Sequence, residues 1–165
     1  MRGIVLKYNQ KNINTDLIIP ARYLNDSDPE HLGLHCMEDL DHDFKQKKDN
    51  LKATIIVADS NFGSGSSREQ APIALKAAGI ICIIAPSYAR IFYRNAINIG
   101  LPIIEFDDIS KINTGDELEI NFEDGTMNNI SNKSEFKIGK MPKFLQEIIS
   151  IGGLVNFAKK IILEK

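Results

Sequence analysis

Residues 53–72 of this chain read ATIIVADSNFGSGSSREQAP. The first six are almost all apolar or β-branched, which predicts a strand covered on both faces. A polar, glycine-broken segment, 59–69, then separates this strand from a helix that begins near residue 70. The order of buried strand, glycine-rich loop and helix predicts an α/β fold with a functional loop at the end of the strand.

The loop has the chemistry of an anion site. Gly63 and Gly65 permit positive φ values and a close approach of the backbone to a ligand, and the following helix exposes its first N–H groups. Residues 66–69 fit a capping box and so do residues 67–70, so the helix start is fixed only to within one residue. One serine is therefore left over beside Arg68 and a partly positive helix end, where its hydroxyl proton is easier to lose. Such a serine can act as a base, although similar loops more often only turn the chain.

The use of arginine favours a carboxylate site. The 20 basic residues include only five arginines, which are Arg2, Arg22, Arg68, Arg90 and Arg94. A chain that uses lysine for most positive charges keeps arginine where a planar, two-pronged contact with a carboxylate is needed. For Arg94 we favour a solvated or ion-paired role, and for Arg90 that role and substrate binding are equally weighted.

The surrounding segments extend the α/β pattern. Apolar runs at 80–85 and 102–106 predict two more buried strands, and helices are predicted over 71–78 and 87–98. Crossovers of this length imply parallel strands, giving a β-α-β-α-β core. Residues 3–6 predict a further strand at the start of the chain.

The segment before residue 53 carries weaker signals. Asp28 is predicted to cap a short helix that starts at Pro29 and runs to about Leu40. The charged residues 39–50 are predicted to form a mobile surface loop, and the region 25–50 would suit a substrate lid.

The last third of the chain has a different pattern. Residues 117–122 alternate polar and apolar side chains before the turn 123–125, which predicts an antiparallel hairpin, and two short strands are predicted over 128–138. A helical region over 143–165, broken at 152–153, is predicted to cover one end of the resulting barrel.

Length and composition restrict the function. The 165 residues predict a single domain over 1–165, which is short for a self-contained metabolic enzyme and suggests a partner. A net charge of −2 and the absence of a basic stripe disfavour nucleic acid as a partner. The apolar runs are too short for a signal peptide or a membrane span, so we expect a cytoplasmic protein without membrane contact.

Cysteine and histidine usage argues against a metal site in this chain. Cys36 and Cys82 are the only cysteines, and Cys82 lies in an apolar run that predicts an inert buried thiol without a disulfide. Two thiolates are too few for an iron–sulfur cluster, which takes three or four. His31, His35 and His42 group around Cys36 without the spacing of a ligand set, so we predict solvated surface residues there.

Two long motifs resemble one family. Residues 59–69, DSNFGSGSSRE, resemble the signature of the swivelling domain of the aconitase superfamily. Residues 14–24, NTDLIIPARYL, resemble the N-terminal motif of the isopropylmalate dehydratase small subunits. The similarity covers nearly the whole chain, including 88–95 and 100–102, and it departs at Gln70, where the family usually has histidine. It implies a swivelling β/β/α, barrel-like domain with a parallel β-α-β-α-β core and extra antiparallel strands.

The resemblance also implies a hydro-lyase that isomerises a hydroxy-dicarboxylate by removing water and returning it to the neighbouring carbon. In the family the Lewis acid belongs to a 4Fe-4S cluster in a large subunit, so the active site is shared and this chain is expected to bind no cofactor. Ser66 takes the place of the catalytic serine, and Arg68 that of the arginine that grips a substrate carboxylate. The substrate-binding residues implied are Ser64, Gly65, Ser67, Arg68, Thr15, Asp16, Arg22, Tyr23, Leu24 and Arg90.

Substrate choice is expected to depend on the early motif. Relatives that act on a third carboxylate place an arginine after the Tyr-Leu pair, whereas Asn25 follows Leu24 here, which favours an apolar substrate arm near Tyr23 and Leu24. The implied function is isomerisation of 2- and 3-isopropylmalate in leucine biosynthesis, within a heterodimer or heterotetramer. The alternatives are a homoaconitase, citraconate hydratase or 2,3-dimethylmalate hydratase small subunit, and a non-catalytic carboxylate-binding module. Self-association of the isolated chain stays open.

Overall fold

The structure, a computed structural model, describes residues 1–163. The strands in this range are β1 (Arg2–Tyr8), β2 (Ala53–Ala58), β3 (Cys82–Ala85), β4 (Ile103–Glu105), β5 (Glu117–Asn121), β6 (Thr126–Asn129) and β7 (Ser134–Lys137). The helices are α1 (Thr15–Ile18), α2 (Pro29–Leu34), α3 (Phe44–Leu51), α4 (Gln70–Ala77), α5 (Arg90–Asn98), α6 (Lys143–Ser150) and α7 (Leu154–Leu163). Short 3-10 turns span Ala21–Tyr23 and Ile109–Lys111.

The strands form one sheet in the order β4-β3-β2-β1-β5-β6-β7. The pairs β1–β2, β2–β3 and β3–β4 are parallel, whereas β1–β5, β5–β6 and β6–β7 are antiparallel. The sheet curls into a half-barrel. This arrangement confirms the predicted parallel core with extra antiparallel strands, and it places β1 at the junction between the two halves.

Apolar side chains cover both faces of the sheet. Leu6, Ile56 and Ile83 belong to a core under the helices, and Val5 and Ile55 belong to a second core shared with the antiparallel strands. Because β2 and β3 are buried on both faces, their sequences are continuous apolar runs rather than alternating ones.

The predicted helix after Pro29 is real but shorter than expected. Asp28 accepts a hydrogen bond from the His31 N–H at 3.0 Å, which confirms the predicted cap. The helix ends at Leu34 and not near Leu40, because Met37 turns the chain with a left-handed φ of 63°.

The prediction of a mobile loop over 39–50 is wrong. Helix α3 occupies most of this segment, and its Phe44 is buried in the core under the helices. Lys52 ends the helix with a left-handed φ of 54°. One apolar anchor and a C-cap therefore order a segment whose charged composition suggested mobility.

The C-terminal helices break at 152–153 as predicted, since both glycines have positive φ values. Ile148 of α6 is buried, but none of the residues of α7 is, so α7 does not cover the sheet as predicted. Residues 164–165, the end of the predicted helical region, lie outside the described residues. None of the helices within residues 1–163 has the length and apolar content needed to cross a bilayer.

Candidate active site

The loop 59–69 lies against the segment 12–16, which follows β1. Three backbone hydrogen bonds join them, from Asn12 to Ser60 (2.9 Å), from Gly63 to Ile13 (2.8 Å) and from Thr15 to Ser64 (2.8 Å). Because β1 and β2 are parallel neighbours, their C-terminal ends bring the two segments side by side. The two motifs that are separate in the sequence therefore form one site.

An aromatic cluster supports the loop from below. Phe62 packs edge-on against Phe92 and Tyr88, with ring centroids 5.3 and 6.3 Å apart. The Tyr88 hydroxyl lies 2.9 Å from each of two strand carbonyl oxygens, and burial raises the pKa of this phenol. Gly63 has a φ of 74°, and a Cβ there would overlap the ring of Phe92, so only glycine fits. The base of the loop is therefore closely packed.

Neither predicted capping box forms. Helix α4 begins at Gln70 with Glu69 as its cap residue, and no side chain donates or accepts a capping hydrogen bond. Ser66 and Ser67 are both exposed, and within residues 1–163 neither hydroxyl takes part in a hydrogen bond. The prediction of one spare serine is therefore wrong in number, because both hydroxyls are available to a ligand.

The backbone of Ser66 is held from two sides. Its carbonyl oxygen accepts hydrogen bonds from the Thr15 hydroxyl at 3.0 Å and from the Arg68 N–H at 2.9 Å. Thr15 is only 1% exposed, so its hydroxyl is committed to the loop. These bonds explain why residues 66–68 lie before the helix rather than inside its first turn.

Unsatisfied N–H groups surround the serines. Gly65 has a φ of 90°, and in the described part of the chain no backbone hydrogen bond is donated by the N–H groups of Gly65, Ser66 or Ser67. Successive free N–H groups in a glycine turn form a concave site for an anionic oxygen. The geometry therefore supports the predicted anion site through the loop itself rather than through a helix cap.

Arg68 is anchored by one of its nitrogen atoms. Nη1 lies 2.6 Å from Oδ1 of Asp16 and donates to the Ile19 carbonyl at 3.2 Å. The other guanidinium nitrogens have no hydrogen-bond partner among residues 1–163, and the side chain is 17% exposed. The arginine is thus oriented while part of its fork remains available to a carboxylate. Sequence reasoning named both Asp16 and Arg68 as site residues but gave no signal of their pairing.

Arg22 and Tyr23 lie on a 3-10 turn next to the site and contact acidic residues of the same chain. Arg22 makes a two-pronged ion pair with Asp39 at 2.9 and 2.6 Å, and the Tyr23 hydroxyl donates to Glu38 at 2.9 Å. Leu24 is half-buried against the core under the helices. The sequence does not predict these roles of Glu38 and Asp39, because nothing in their local pattern indicates a pairing with residues 22 and 23.

The remaining candidate residues are less engaged. Arg90 and Arg94 are exposed on α5, and neither forms an ion pair within residues 1–163. His31 and His35 were predicted to be solvated but instead pack against the ring of Tyr23. Cys82 is a buried free thiol, as predicted, and burial raises its pKa to about 12.

The contacts of Glu38 predict an acid-dependent loss of stability. Its hydrogen bond with His35 is the main cause that lowers its pKa below the ordinary 4.5. We therefore expect Glu38→Gln to lower the free energy of unfolding at pH 7, by less than about 1 kcal/mol for a partly exposed group. A lowered carboxyl pKa gives stability that is complete above pH 4.5 and is lost as the pH falls through the folded-state pKa. The difference in the free energy of unfolding between the wild type and Glu38→Gln should therefore disappear in acid.

Urea unfolding of the wild type and of Glu38→Gln across this pH range measures the difference in their free energies of unfolding. Glu135→Gln on the exposed face of β7 is the control and should leave stability unchanged at each pH. A difference of constant size down to the most acidic pH would contradict the assignment.

Comparison with known proteins identifies the family of the chain. Residues 1–109 match the aconitase C-terminal domain family. The 3-isopropylmalate dehydratase small subunit of Caldanaerobacter subterraneus subsp. tengcongensis is 52% identical, over 97% of this chain and 98% of that protein. The 2,3-dimethylmalate dehydratase small subunit of Eubacterium barkeri is also 52% identical, over 94% of each chain.

A solved structure of a 3-isopropylmalate dehydratase also matches this chain. The crystal structure of a 3-isopropylmalate dehydratase from Methanocaldococcus jannaschii superposes with a TM-score of 0.89 at 42% identity, covering 98% of this chain and 95% of that one. Fold and length therefore agree with these relatives along nearly the whole chain. The protein belongs to the family of 3-isopropylmalate dehydratase small subunits, built on the aconitase-type swivelling domain.

Proposed function

We propose that this chain is the small subunit of a hydro-lyase that interconverts 2-isopropylmalate and 3-isopropylmalate in leucine biosynthesis. The observation that carries the proposal is an exposed loop on which two free serine hydroxyls and free N–H groups lie beside the partly free guanidinium of Arg68. Relatives of almost the same length bear the name of this enzyme's small subunit. The relative that bears the name of 2,3-dimethylmalate dehydratase makes that reaction the alternative.

The reaction requires a base for the proton on the carbon next to a carboxylate, and an acceptor for the departing hydroxide. Residues 1–163 contain no cluster of histidine, cysteine or acidic side chains arranged to hold a metal. The residues in this described range therefore do not fit an iron–sulfur cluster. We propose that a large subunit carries a 4Fe-4S cluster, which would supply the Lewis acid, and that the two chains form a heterodimer or heterotetramer.

In this proposal Ser66 acts as the base in its alkoxide form: its own proton has passed to solvent, and the alkoxide oxygen takes the proton from the substrate carbon and becomes the hydroxyl again. Its hydroxyl is exposed and makes no hydrogen bond in the described structure, so an approaching C–H group meets no internal competitor. The neighbouring N–H groups and Arg68 lower the cost of negative charge on the serine oxygen. Thr15 acts as a positioning residue, because it holds the Ser66 carbonyl rather than contacting substrate.

The carboxylate next to the reacting carbon would bind Arg68 and the N–H groups of 65–67. These donors are in place before the substrate arrives, and they also face the negative charge that develops when the proton leaves. Ser67 would add a hydroxyl donor to the same carboxylate.

The cytoplasmic location expected from the sequence stays a prediction.

Leu24→Arg tests the apolar arm. We expect the kcat/KM for 2-isopropylmalate to fall about tenfold or more, because a cation would replace the half-buried leucine that we place beside the branched group. Steady-state kinetics of the complex with the large subunit measure the change. The control is Ile130→Arg, an exposed position in the turn that follows β6, which should leave kcat/KM unchanged. Wild-type kinetics in Leu24→Arg would show that this turn does not contact the arm.

Reconstitution decides among the candidate functions. The chain is combined anaerobically with its large subunit and assayed with 2-isopropylmalate, 2,3-dimethylmalate and citraconate. Fastest turnover of 2-isopropylmalate supports the proposal, and fastest turnover of 2,3-dimethylmalate supports the alternative. Carboxylate binding without turnover of any of them would instead indicate a non-catalytic binding module.

A further inference from the structure

A set of side-chain contacts closes the segment 21–39 at its base. We name this segment the strap. Its first residues form a 3-10 turn, Ala21–Tyr23, and its last residues, Glu38 and Asp39, return to contact that turn. Helix α2 lies between the two ends, so the strap is a closed loop that contains both Tyr23 and Leu24.

The ring of Tyr23 is held on several sides. It stacks on His35 with centroids 3.6 Å apart and planes 7° from parallel, and His31 packs edge-on at 6.0 Å. The guanidinium of Arg22 lies 4.7 Å from the ring centroid. The phenol hydroxyl donates to Oε1 of Glu38 at 2.9 Å. Ring and hydroxyl are therefore fixed together.

Glu38 ties this arrangement to His35. Its second oxygen, Oε2, lies 2.8 Å from Nδ1 of His35, whose ring is the one stacked on Tyr23. Tyr23, Glu38 and His35 thus form a closed three-membered set, in which each side chain contacts the other two. Removing any one of them leaves the other pair with less restraint.

Packing against the core does not by itself account for the polar and ring contacts of this set. The 3-10 turn has no buried residue and no side-chain cap, so the core fixes its backbone only loosely. Tyr23 is half-buried and packs against the core under the helices, while its ring and hydroxyl are also contacted by His35, His31, Glu38 and Arg22. A surface turn with no ligand needs no such restraint, whereas a wall that selects a substrate group does.

We propose that His35 and Glu38 are positioning residues that hold Tyr23 in the wall of the substrate-arm pocket and thereby set selectivity for a branched arm. The inference rests on the proposed function, because it assigns Tyr23 to that pocket. The arm itself makes and breaks no bond in the reaction, so a loosened wall weakens ground-state and transition-state binding alike and raises KM more than it lowers kcat.

The kinetic test uses the complex with the large subunit. For His35→Ala we expect the KM for 2-isopropylmalate to rise about tenfold with kcat changed less than about twofold, as for loss of uniform binding. The kcat/KM for 2,3-dimethylmalate, whose methyl group makes fewer arm contacts, should fall less than about threefold. His35→Phe keeps the stacking but loses the Nδ1 contact, and it should recover part of the selectivity.

Two conservative variants test the same proposal if His35→Ala does not fold. Tyr23→Phe removes only the hydroxyl, and with Glu38→Gln it forms a double-mutant cycle. Both changes remove or weaken the hydrogen bond between the Tyr23 hydroxyl and Glu38, so the double variant should lose less selectivity than the sum of the two single losses. Additive losses would overturn the proposed coupling.

A spectroscopic test needs no enzyme activity. The chain has three histidines, so their ring proton resonances can be assigned by substitution. Replacing Tyr23 by leucine should move the His35 and His31 resonances, because both rings contact Tyr23, and should leave that of exposed His42 in place. An unmoved His35 resonance would overturn the proposed restraint of Tyr23 by His35.

The outcomes separate the two proposals. Active wild-type enzyme with unchanged selectivity in His35→Ala and Tyr23→Phe overturns the positioning role alone. A wild-type complex that turns over no hydroxy-dicarboxylate overturns the proposed function, and the selectivity role with it, whatever the histidine resonances show.

Discussion

Ser66→Ala is expected to lower kcat about 10³-fold, because a positioned general base typically contributes about 10²–10⁴-fold. Assembly with the large subunit should be unchanged. The Ser66 hydroxyl makes no hydrogen bond within residues 1–163, and the carbonyl oxygen that Thr15 and Arg68 hold is retained in alanine. The measurements are single-turnover and steady-state rates with 2-isopropylmalate, together with the affinity of the two chains for each other.

Ser67→Ala is the matched control for this change, since the two serines are adjacent and exposed and neither caps helix α4. We place Ser67 on the substrate carboxylate, so its loss should raise KM while kcat stays well above that of Ser66→Ala. Activity of Ser66→Ala near the wild-type level would remove Ser66 from its role. The opposite ranking of the two variants would assign the base to Ser67.

The parts of the fold that the sequence predicts are those encoded by local pattern. The buried strand and the glycine loop of 53–69 follow from a continuous apolar run and from residues that permit positive φ. Why Gly63 must be glycine is visible only in the structure, because the obstacle is the ring of Phe92 on another element. The local sequence indicates only that a glycine permits a positive φ at such a position. The tertiary packing gives the steric reason why no other residue fits there.

The capping box shows how tertiary contacts override a local signal. The sequence allows Ser66 or Ser67 to cap α4, yet the Thr15 hydroxyl and the Arg68 N–H both bind the Ser66 carbonyl. Residues 66–68 are thereby held outside the helix, which begins at Gln70. Thr15 lies 51 residues away in the chain, so no short-range rule predicts this outcome.

The same limit applies to the side chains around the site. The pairs Arg68–Asp16 and Arg22–Asp39 depend on segments that become neighbours only when β1 and β2 pair in parallel and the strap closes. Sequence reasoning selected Asp16, Arg22 and Arg68 individually, from residue type and resemblance. It did not select Asp39, because an exposed aspartate in a charged segment looks like ordinary surface.

Arg68→Lys is expected to lower the kcat/KM for 2-isopropylmalate about 100-fold with little loss of stability. A lysine can keep a positive charge near Asp16, 2.6 Å from Nη1 in the native chain, but it has a single charged nitrogen for both the aspartate and the substrate. The guanidinium divides these tasks, since Nη1 binds Asp16 and the Ile19 carbonyl while its other nitrogens remain available. Arg94→Lys, at an exposed position without an ion pair in the described structure, is the matched control and should keep wild-type kinetics. Equal kcat/KM values for the two variants would mean that charge alone suffices at position 68, and the two-pronged grip on the carboxylate would have to be abandoned.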